Sequence, residues 1–218
     1  MIVAGKCPPE KEELRYAAER GFEHIELYLE KKHLDQIEET VENVKKSDVE
    51  AVSVHTPHVS LDNRGYLKLA DYLASELNAY LVFHSQFLHH THIPELEKLN
   101  IKSSYGYENN PGVSKTFLEK GIVEQGHELV LDTAHFFLGD HSSEDFRSFL
   151  ETNIECIELI HLCDSSWTKD GLPFGEGDMN MERFCKDIDD SGFDGILVFE
   201  VMPDHQEDAF EKWKDYTR

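Results

Sequence analysis

The sequence is poor in several features that define common classes of protein. Only 4 of its 218 residues are cysteine and only 7 are proline. The cysteines form no CxxC pair and are far sparser than in a disulfide scaffold, so we expect reduced thiols. No apolar run approaches the roughly 18 residues that span a bilayer, and the first residues lead into polar sequence without a secretory core. We therefore expect a cytoplasmic protein without membrane contact.

Positive charge is also scarce. The chain has 21 Lys and Arg residues against 44 Asp and Glu residues, which gives a formal net charge of -23. A surface of this charge repels phosphate backbones, so nucleic acid is disfavoured as a partner and a small-molecule substrate is expected. Hydrophobic residues still make up 39% of the chain, enough for a folded core. Because no linker or low-complexity segment interrupts the sequence, we predict one domain over residues 1–218.

Short apolar runs alternate with amphipathic segments along the whole chain. The apolar runs predict buried strands at residues 2–4, 24–28, 51–54, 80–83, 101–108, 129–131, 157–162 and 196–201. The fifth of these is unusually polar for a buried strand. Helices are predicted at residues 10–20, 34–46, 66–78, 113–120, 143–151 and 181–191. Eight strands with helices between them, at a period of roughly 25 to 30 residues, predict a compact (β/α)8 TIM barrel.

Polar side chains close or follow most of the apolar runs. They are Glu26, His55, His84, Glu108, Asp132, His161 and Glu200. In a parallel barrel the carboxyl ends of the strands meet at one mouth, so these side chains are expected to converge there. Histidine and carboxylate groups are the ligands that Zn²⁺, Mn²⁺ and Co²⁺ prefer, and several carboxylates in one mouth would repel each other without a cation. The pattern therefore predicts a site for one or two divalent metal ions.

Several short motifs, in this order and at these spacings, resemble one known group of barrels. They are Val54–His58 (VHTPH), Val82–Ser85 (VFHS), Tyr107–Gly112 (YENNPG), Leu131–His135 (LDTAH), His161–Ser165 (HLCDS), Gly175–Asp178 (GEGD) and Gly192–Gly195 (GFDG). Over nearly its whole length the chain resembles the xylose isomerase-like TIM barrel superfamily. That superfamily contains sugar isomerases and epimerases as well as endonuclease IV and the other members of AP endonuclease family 2.

The resemblance implies a set of metal ligands. Glu108, Asp132, His161 and Glu200 match the ligands that sugar isomerases and epimerases place around one ion. His55 and His84 match further ligands that endonuclease IV uses for a second ion. The third zinc site of endonuclease IV also needs an Asp-x-His element before the GEG segment. Residues 169–174 contain no histidine, so a third ion is not expected.

The resemblance also implies a reaction. In a metal-dependent isomerase or epimerase, Zn²⁺ or Mn²⁺ would polarise the carbonyl of a sugar-like hydroxy-carbonyl substrate, and an enediolate would form by proton transfer. Glu108 and Glu200 are then the expected acid and base. The expected contacts to the substrate are His135, Glu26, Trp167 and Lys169.

Two alternatives remain open from the sequence. One is an endonuclease IV-like phosphodiester hydrolase, an AP endonuclease with two zinc ions, although basic residues are few for binding DNA. The other is a barrel that binds a ligand without catalysing a reaction, because a fold by itself implies no activity. Barrels of this kind are commonly dimers, so a homodimer is a further expectation.

Overall fold

The computed structural model describes residues 1–139 and 143–218. Its strands are β1 (Ile2–Cys7), β2 (His24–Tyr28), β3 (Glu50–His55), β4 (Tyr80–Phe83), β5 (Tyr105–Glu108), β6 (Glu128–Asp132), β7 (Ile157–Leu162), β8 (Asp164–Ser166), β9 (Lys169–Leu172) and β10 (Ile196–Phe199). Its α-helices are α1 (Lys11–Glu19), α2 (Lys31–Asp35), α3 (Ile37–Lys45), α4 (Arg64–Leu77), α5 (Ile93–Glu97), α6 (Lys115–Phe117), α7 (Thr133–Leu138), α8 (Ser143–Asn153), α9 (Met181–Asp190) and α10 (Pro203–Tyr216).

Eight strands form a closed parallel barrel in the order β1-β10-β7-β6-β5-β4-β3-β2, and β8 and β9 form a separate antiparallel hairpin. The predicted (β/α)8 fold is therefore confirmed. None of the helices in the described ranges combines the length and apolar character needed to cross a membrane.

The chain divides into two compact units. The amino-terminal unit is Ala4–Glu108, and the carboxy-terminal unit is Asn109–Arg218 together with Met1–Val3. The prediction of a single domain over residues 1–218 stays a prediction.

The amino-terminal unit contains paired parallel strands from β1 to β5, with a register shift between β2 and β3 at Ile25 and Glu26. Lys6 pairs with Glu26, and Glu26 pairs with Ser53, so three polar residues stand side by side across β1, β2 and β3. Val54 and Phe83, on β3 and β4, are fully buried. The strand register thus brings three polar residues of neighbouring strands together.

The carboxy-terminal unit is built on β6, β7 and β10. Asp132 pairs with His161, and His161 pairs with Val198, so the ends of these strands lie side by side. Outside the strands, the ring of Phe146 on α8 lies 4.7 Å from the ring of Phe184 on α9, centroid to centroid. Helices α8 and α9 therefore pack against each other through aromatic side chains.

Three predicted elements differ from the observed ones. The fifth strand begins at Tyr105 instead of residue 101, because the backbone N–H groups of Lys102 and Ser103 are taken by the carboxylate of Asp71 on α4. The helix predicted over residues 34–46 is two helices, α2 and α3, separated at Gln36, whose φ of -119° and ψ of 42° are not helical. The helix predicted over residues 113–120 is the short α6 followed by a π-helical turn over Leu118–Ile122.

Candidate active site

Three side chains of the metal-ligand type meet in the carboxy-terminal unit. Nδ1 of His161, on β7, lies 2.8 Å from Oε2 of Glu200, directly after β10. The same nitrogen lies 4.0 Å from Oδ2 of Asp132, which ends β6. His161 and Asp132 are buried, whereas the side chain of Glu200 is 25% exposed. Two carboxylates and one imidazole thus share one place, and one of the carboxylates can be reached from solvent.

The backbone of Asp132 is held by a residue that the sequence did not single out. The buried side chain of Asn109 accepts a hydrogen bond from the N–H of Asp132 at 2.6 Å and donates one to its carbonyl oxygen at 3.1 Å. The carboxylate of Asp132 also caps α7 by accepting the N–H of His135 at 2.6 Å. The only sequence signal for Asn109 was its position inside the YENNPG motif, directly after Glu108.

In the amino-terminal unit, Glu108 is buried at the end of β5. Its Oε2 accepts the backbone N–H of Ser85 at 2.7 Å and lies 3.5 Å from Nε2 of His55. The ring centroid of His84 lies 5.2 Å from that of His55 and 3.8 Å from that of His58. Three imidazoles are therefore grouped beside one carboxylate.

The surroundings keep two of these imidazoles neutral. Burial, followed by the neighbouring His55, lowers the pKa of His84 to about 3, and burial also lowers the pKa of His58. The ring of His84 is held in place because its Nδ1 accepts the N–H of Gln86 at 3.1 Å. Neutral imidazole is the form that binds metal ions. His58 was not among the predicted site residues, although the VHTPH motif contains it.

Glu26 is fully buried, with partners for both carboxylate oxygens. Nζ of Lys6 lies 2.9 Å from Oε1, and the hydroxyl of Ser53 donates to Oε2 at 2.9 Å. A buried carboxylate needs such partners, because an unpaired buried charge is costly. The contact of Glu26 with substrate stays a prediction, and Lys6 is an additional charged group that the sequence did not single out there.

His135 lies between two acceptors at the start of α7. Its Nδ1 is 2.8 Å from the carbonyl oxygen of Asn109, and its Nε2 is 3.2 Å from Oδ2 of Asp170 on β9. The hydrogen bond with His135 is the main cause that lowers the pKa of Asp170. Asp170 was missed as a site residue because no pattern in the sequence indicates the hairpin that carries it.

The β8–β9 hairpin places the two other predicted substrate contacts. Trp167 lies in its turn and is 61% exposed, with its ring centroid 4.9 Å from that of Phe137. Lys169 begins β9 and is exposed, and its carbonyl oxygen accepts the hydroxyl of Ser165 at 3.0 Å. The contacts of Trp167 and Lys169 with substrate stay predictions.

One buried carboxylate ties this hairpin to the GEGD segment. Asp164 is fully buried and accepts backbone N–H groups from four residues, Ser165, Gly175, Gly177 and Met179, at distances from 2.8 to 3.2 Å. A Cβ atom at position 177 would lie 2.3 Å from Oδ1 of Asp164. This explains the glycine in the middle of the motif, since no side chain fits there.

Comparison with known proteins agrees with the fold. A family model described as a xylose isomerase-like TIM barrel matches residues 120–217. The predicted resemblance to the xylose isomerase-like barrels is confirmed. The matched range includes the GEGD segment and the ligand-type residues Asp132, His161 and Glu200. A comparison of the sequence with curated proteins found no match.

Solved structures of similar fold include proteins described as sugar epimerases. A D-tagatose 3-epimerase-like protein is 20% identical, with a TM-score of 0.73 over 100% of this chain and 98% of that chain. A xylose isomerase domain protein from Planctomyces limnophilus is 14% identical, with a TM-score of 0.72 over 99% and 95% of the two chains. D-allulose 3-epimerase from Methylomonas sp. is 13% identical, with a TM-score of 0.71 over 99% and 98%. At these identities the likeness shows the fold alone.

Proposed function

We propose that this protein is a divalent-metal-dependent isomerase or epimerase acting on a sugar-like hydroxy-carbonyl substrate. The observation that carries the proposal is the grouping of Asp132, His161 and Glu200, with His161 2.8 Å from Glu200 and 4.0 Å from Asp132. The likeness in fold to proteins described as D-tagatose and D-allulose 3-epimerases supports the same reaction class.

The donor set fits a divalent ion. Asp132 and Glu200 supply carboxylate oxygens and His161 supplies a ring nitrogen, the combination that Zn²⁺ and Mn²⁺ accept. A cation also neutralises two carboxylates that both lie beside a buried imidazole. We propose Glu108 as the fourth ligand, because it ends β5 just as Asp132 ends β6. When bound, such an ion supplies Lewis acidity to the carbonyl of the substrate.

The two glutamates are proposed to share the proton transfer. Glu200 is the partly exposed carboxylate, which suits the removal of a proton from the carbon next to the carbonyl. Glu108 is held by the N–H of Ser85 and would return a proton to the adjacent carbon. Asp132 and His161 are proposed to bind the metal ion without taking part in the proton transfer.

Substrate contacts are proposed for residues of α7, of the β8–β9 hairpin and of β2. His135 presents a ring nitrogen for a hydroxyl group, and Trp167 with the neighbouring Phe137 offers an aromatic surface for the C–H face of a sugar. Lys169 lies on the same hairpin as Trp167 and is proposed as a further polar contact. Glu26 is proposed to act together with Lys6, to which it is bound.

A second candidate function is hydrolysis of a phosphodiester by two metal ions. The observation that favours it is the proximity of His55 and His84 to each other and of His55 to Glu108, which would provide ligands for a second ion. The net charge of -23 disfavours a DNA substrate, so a small phosphorylated compound would be the better fit.

The decisive experiment combines metal analysis with hydrogen exchange. Purified protein loaded with Mn²⁺ or Zn²⁺ is expected to hold one ion per chain and to exchange carbon-bound hydrogen of a ketohexose with D₂O. Glu200→Gln should keep the ion and lower the exchange rate at least about 100-fold, because a positioned acid or base contributes 10² to 10⁴ in rate. Glu207→Gln, an exposed acid on α10, is the matched control and should behave as the wild type.

Other outcomes point to the other functions. Two ions per chain, one of them lost in His84→Ala, together with cleavage of a phosphodiester, would replace the isomerase by the hydrolase. Sugar binding without exchange in the wild type would leave a ligand-binding barrel. Unchanged exchange in Glu200→Gln would remove Glu200 from the proton transfer.

A further inference from the structure

The β8–β9 hairpin is a fixed part of the carboxy-terminal unit. Asp164 accepts four backbone N–H groups, one from β8, two from the GEGD segment and one from Met179 directly after it, and no side chain would fit at Gly177. The hydroxyl of Ser165 further bonds to the carbonyl oxygens of Ser166 and Lys169 across the turn. These hydrogen bonds hold the hairpin against the GEGD segment, in addition to its contacts with α7.

This fixed hairpin brings a carboxylate to the proposed substrate-binding histidine. Oδ2 of Asp170 lies 3.2 Å from Nε2 of His135, and the side chain of Asp170 is 50% exposed whereas that of His135 is 12% exposed. The other ring nitrogen of His135 is directed at the carbonyl oxygen of Asn109. Nε2 is thus the nitrogen that faces the hairpin, and Asp170 reaches it from the solvent side.

We propose that Asp170 is a specificity-determining residue that, together with His135, binds a hydroxyl group of an uncharged sugar and disfavours a phosphorylated one. This inference rests on the proposed function. A hydroxyl group can donate to the carboxylate and, when Nε2 of His135 carries a proton, accept from it at the same time. A phosphate offers mainly acceptor oxygens and negative charge, and it is repelled by a carboxylate held at this place.

The neighbouring charges agree with this selection. Glu176 and Asp178 lie in the GEGD segment that Asp164 anchors, and they add further negative charge to this part of the unit. Lys169 precedes Asp170 on β9, and adjacent side chains of a strand point to opposite faces. The lysine therefore does not stand beside the carboxylate that faces His135.

The test is a binding comparison of D-fructose and D-fructose 6-phosphate by calorimetry on the Mn²⁺-loaded full chain. The wild type should bind D-fructose at least about tenfold more tightly, because juxtaposed like charges weaken binding. Asp170→Asn should weaken D-fructose binding and strengthen binding of the phosphate ester, so that the ratio falls about tenfold. Glu176→Gln makes the same change of charge on the neighbouring segment and should shift the ratio by less than about twofold, because its charge acts only at longer range. In a His135→Gln background, the effect of Asp170→Asn on D-fructose binding should largely disappear.

Three results would overturn the inference: equal binding of both compounds by the wild type, an unchanged ratio in Asp170→Asn, or an equal shift in Glu176→Gln. Binding of neither compound by the wild type would overturn it too. Failure of the proposed function has a different signature, since the wild type would then show no hydrogen exchange while the binding ratio and its dependence on Asp170 remained.

Discussion

At the scale of single residues, Asp132 and His161 lie at paired positions of neighbouring strands, and Asn109 binds the backbone of Asp132. Asp132 and His161 were predicted from the polar positions that close apolar runs, and their strands pair in register. Asn109 and Asp170 close no apolar run and were missed. Glu26 was predicted as a substrate contact, but its two oxygens are bound by Lys6 and Ser53, which no spacing rule on one strand reveals.

The first prediction concerns Asn109, whose amide binds both the N–H and the carbonyl oxygen of Asp132. Asn109→Ala should lower the free energy of unfolding by about 1–3 kcal/mol, because the replacement leaves buried polar groups without partners. It should also weaken binding of Mn²⁺ about 10- to 100-fold, since Asp132 would lose its support. Urea unfolding and metal titration measure the two effects.

The control for this prediction is the next residue. Oδ1 of Asn110 is buried and has no hydrogen-bond partner among the described residues, so Asn110→Ala should cost much less stability and leave the affinity for Mn²⁺ unchanged. Equal metal affinity in Asn109→Ala and the wild type would show that Asp132 binds the ion without the two hydrogen bonds from Asn109.

At the scale of secondary-structure elements, strands were predicted better than their connections. All eight barrel strands were expected, seven of them because continuous apolar runs are typical of strands buried on both faces, and the polar fifth because the repeat required a strand there. The β8–β9 hairpin, α7 and α10 were not predicted. The hairpin is three and four residues long on its two sides and polar, so local hydrophobic periodicity carries no signal for it. Its stability comes from Asp164 and the GEGD segment, eleven to fifteen residues away in the chain.

The second prediction concerns Gly177, which lies directly against the side chain of Asp164. Gly177→Ala would place a Cβ atom 2.3 Å from Oδ1 of Asp164 and 2.5 Å from the carbonyl oxygen of Ser165. Because backbone has to move to make room, we expect a loss of about 1–3 kcal/mol in the free energy of unfolding. Displacement of the hairpin should also make the chain near Trp167 more susceptible to proteolytic cleavage. Thermal unfolding and limited proteolysis are the measurements.

Gly65 provides the comparison for this substitution. It lies in α4, and a Cβ atom there would meet no atom within 4 Å. Gly65→Ala should be neutral or stabilise by up to about 1 kcal/mol, because alanine loses less entropy than glycine in a helix. If both variants unfolded at the temperature of the wild type, the close contact expected at position 177 would have no effect on stability.

At the scale of the whole molecule, acidity and a low content of cysteine are the features visible in composition. The net charge of -23 supports the prediction that nucleic acid is not a partner, and this prediction awaits a binding measurement. The four cysteines are free, as expected. Three of them, Cys7, Cys163 and Cys185, are buried in the core and one, Cys156, is partly accessible. Cytoplasmic location and a homodimer stay predictions.

The third prediction follows from the burial of these thiols. Burial is the largest cause that raises the pKa of Cys7 to about 12 and that raises the pKa of Cys163 and Cys185 as well. The thiolate is the reactive form, so these groups should be inert in the native protein at pH 8. Ellman's reagent should therefore react quickly with one thiol per chain, at Cys156, and with all four after unfolding in guanidinium chloride.

Replacing the accessible thiol is the control for this measurement. Cys156→Ser should remove the fast reaction and leave the number of thiols in the unfolded chain at three. Fast reaction of Cys7 or Cys163 in the native state would contradict the burial of the strand ends on which the barrel depends.

The sequence by itself determined the order of the eight barrel strands along the chain and the residue types at their ends. Both follow from local physical chemistry, because apolar runs are buried on folding and parallel strands bring their carboxyl ends to one rim of a barrel. Only the tertiary structure decided which side chains meet, such as Asn109 with Asp132 and Asp170 with His135. These contacts join residues more than twenty positions apart, and hydrogen-bond partners at that separation depend on strand register and hairpin placement, which no periodicity in the sequence encodes.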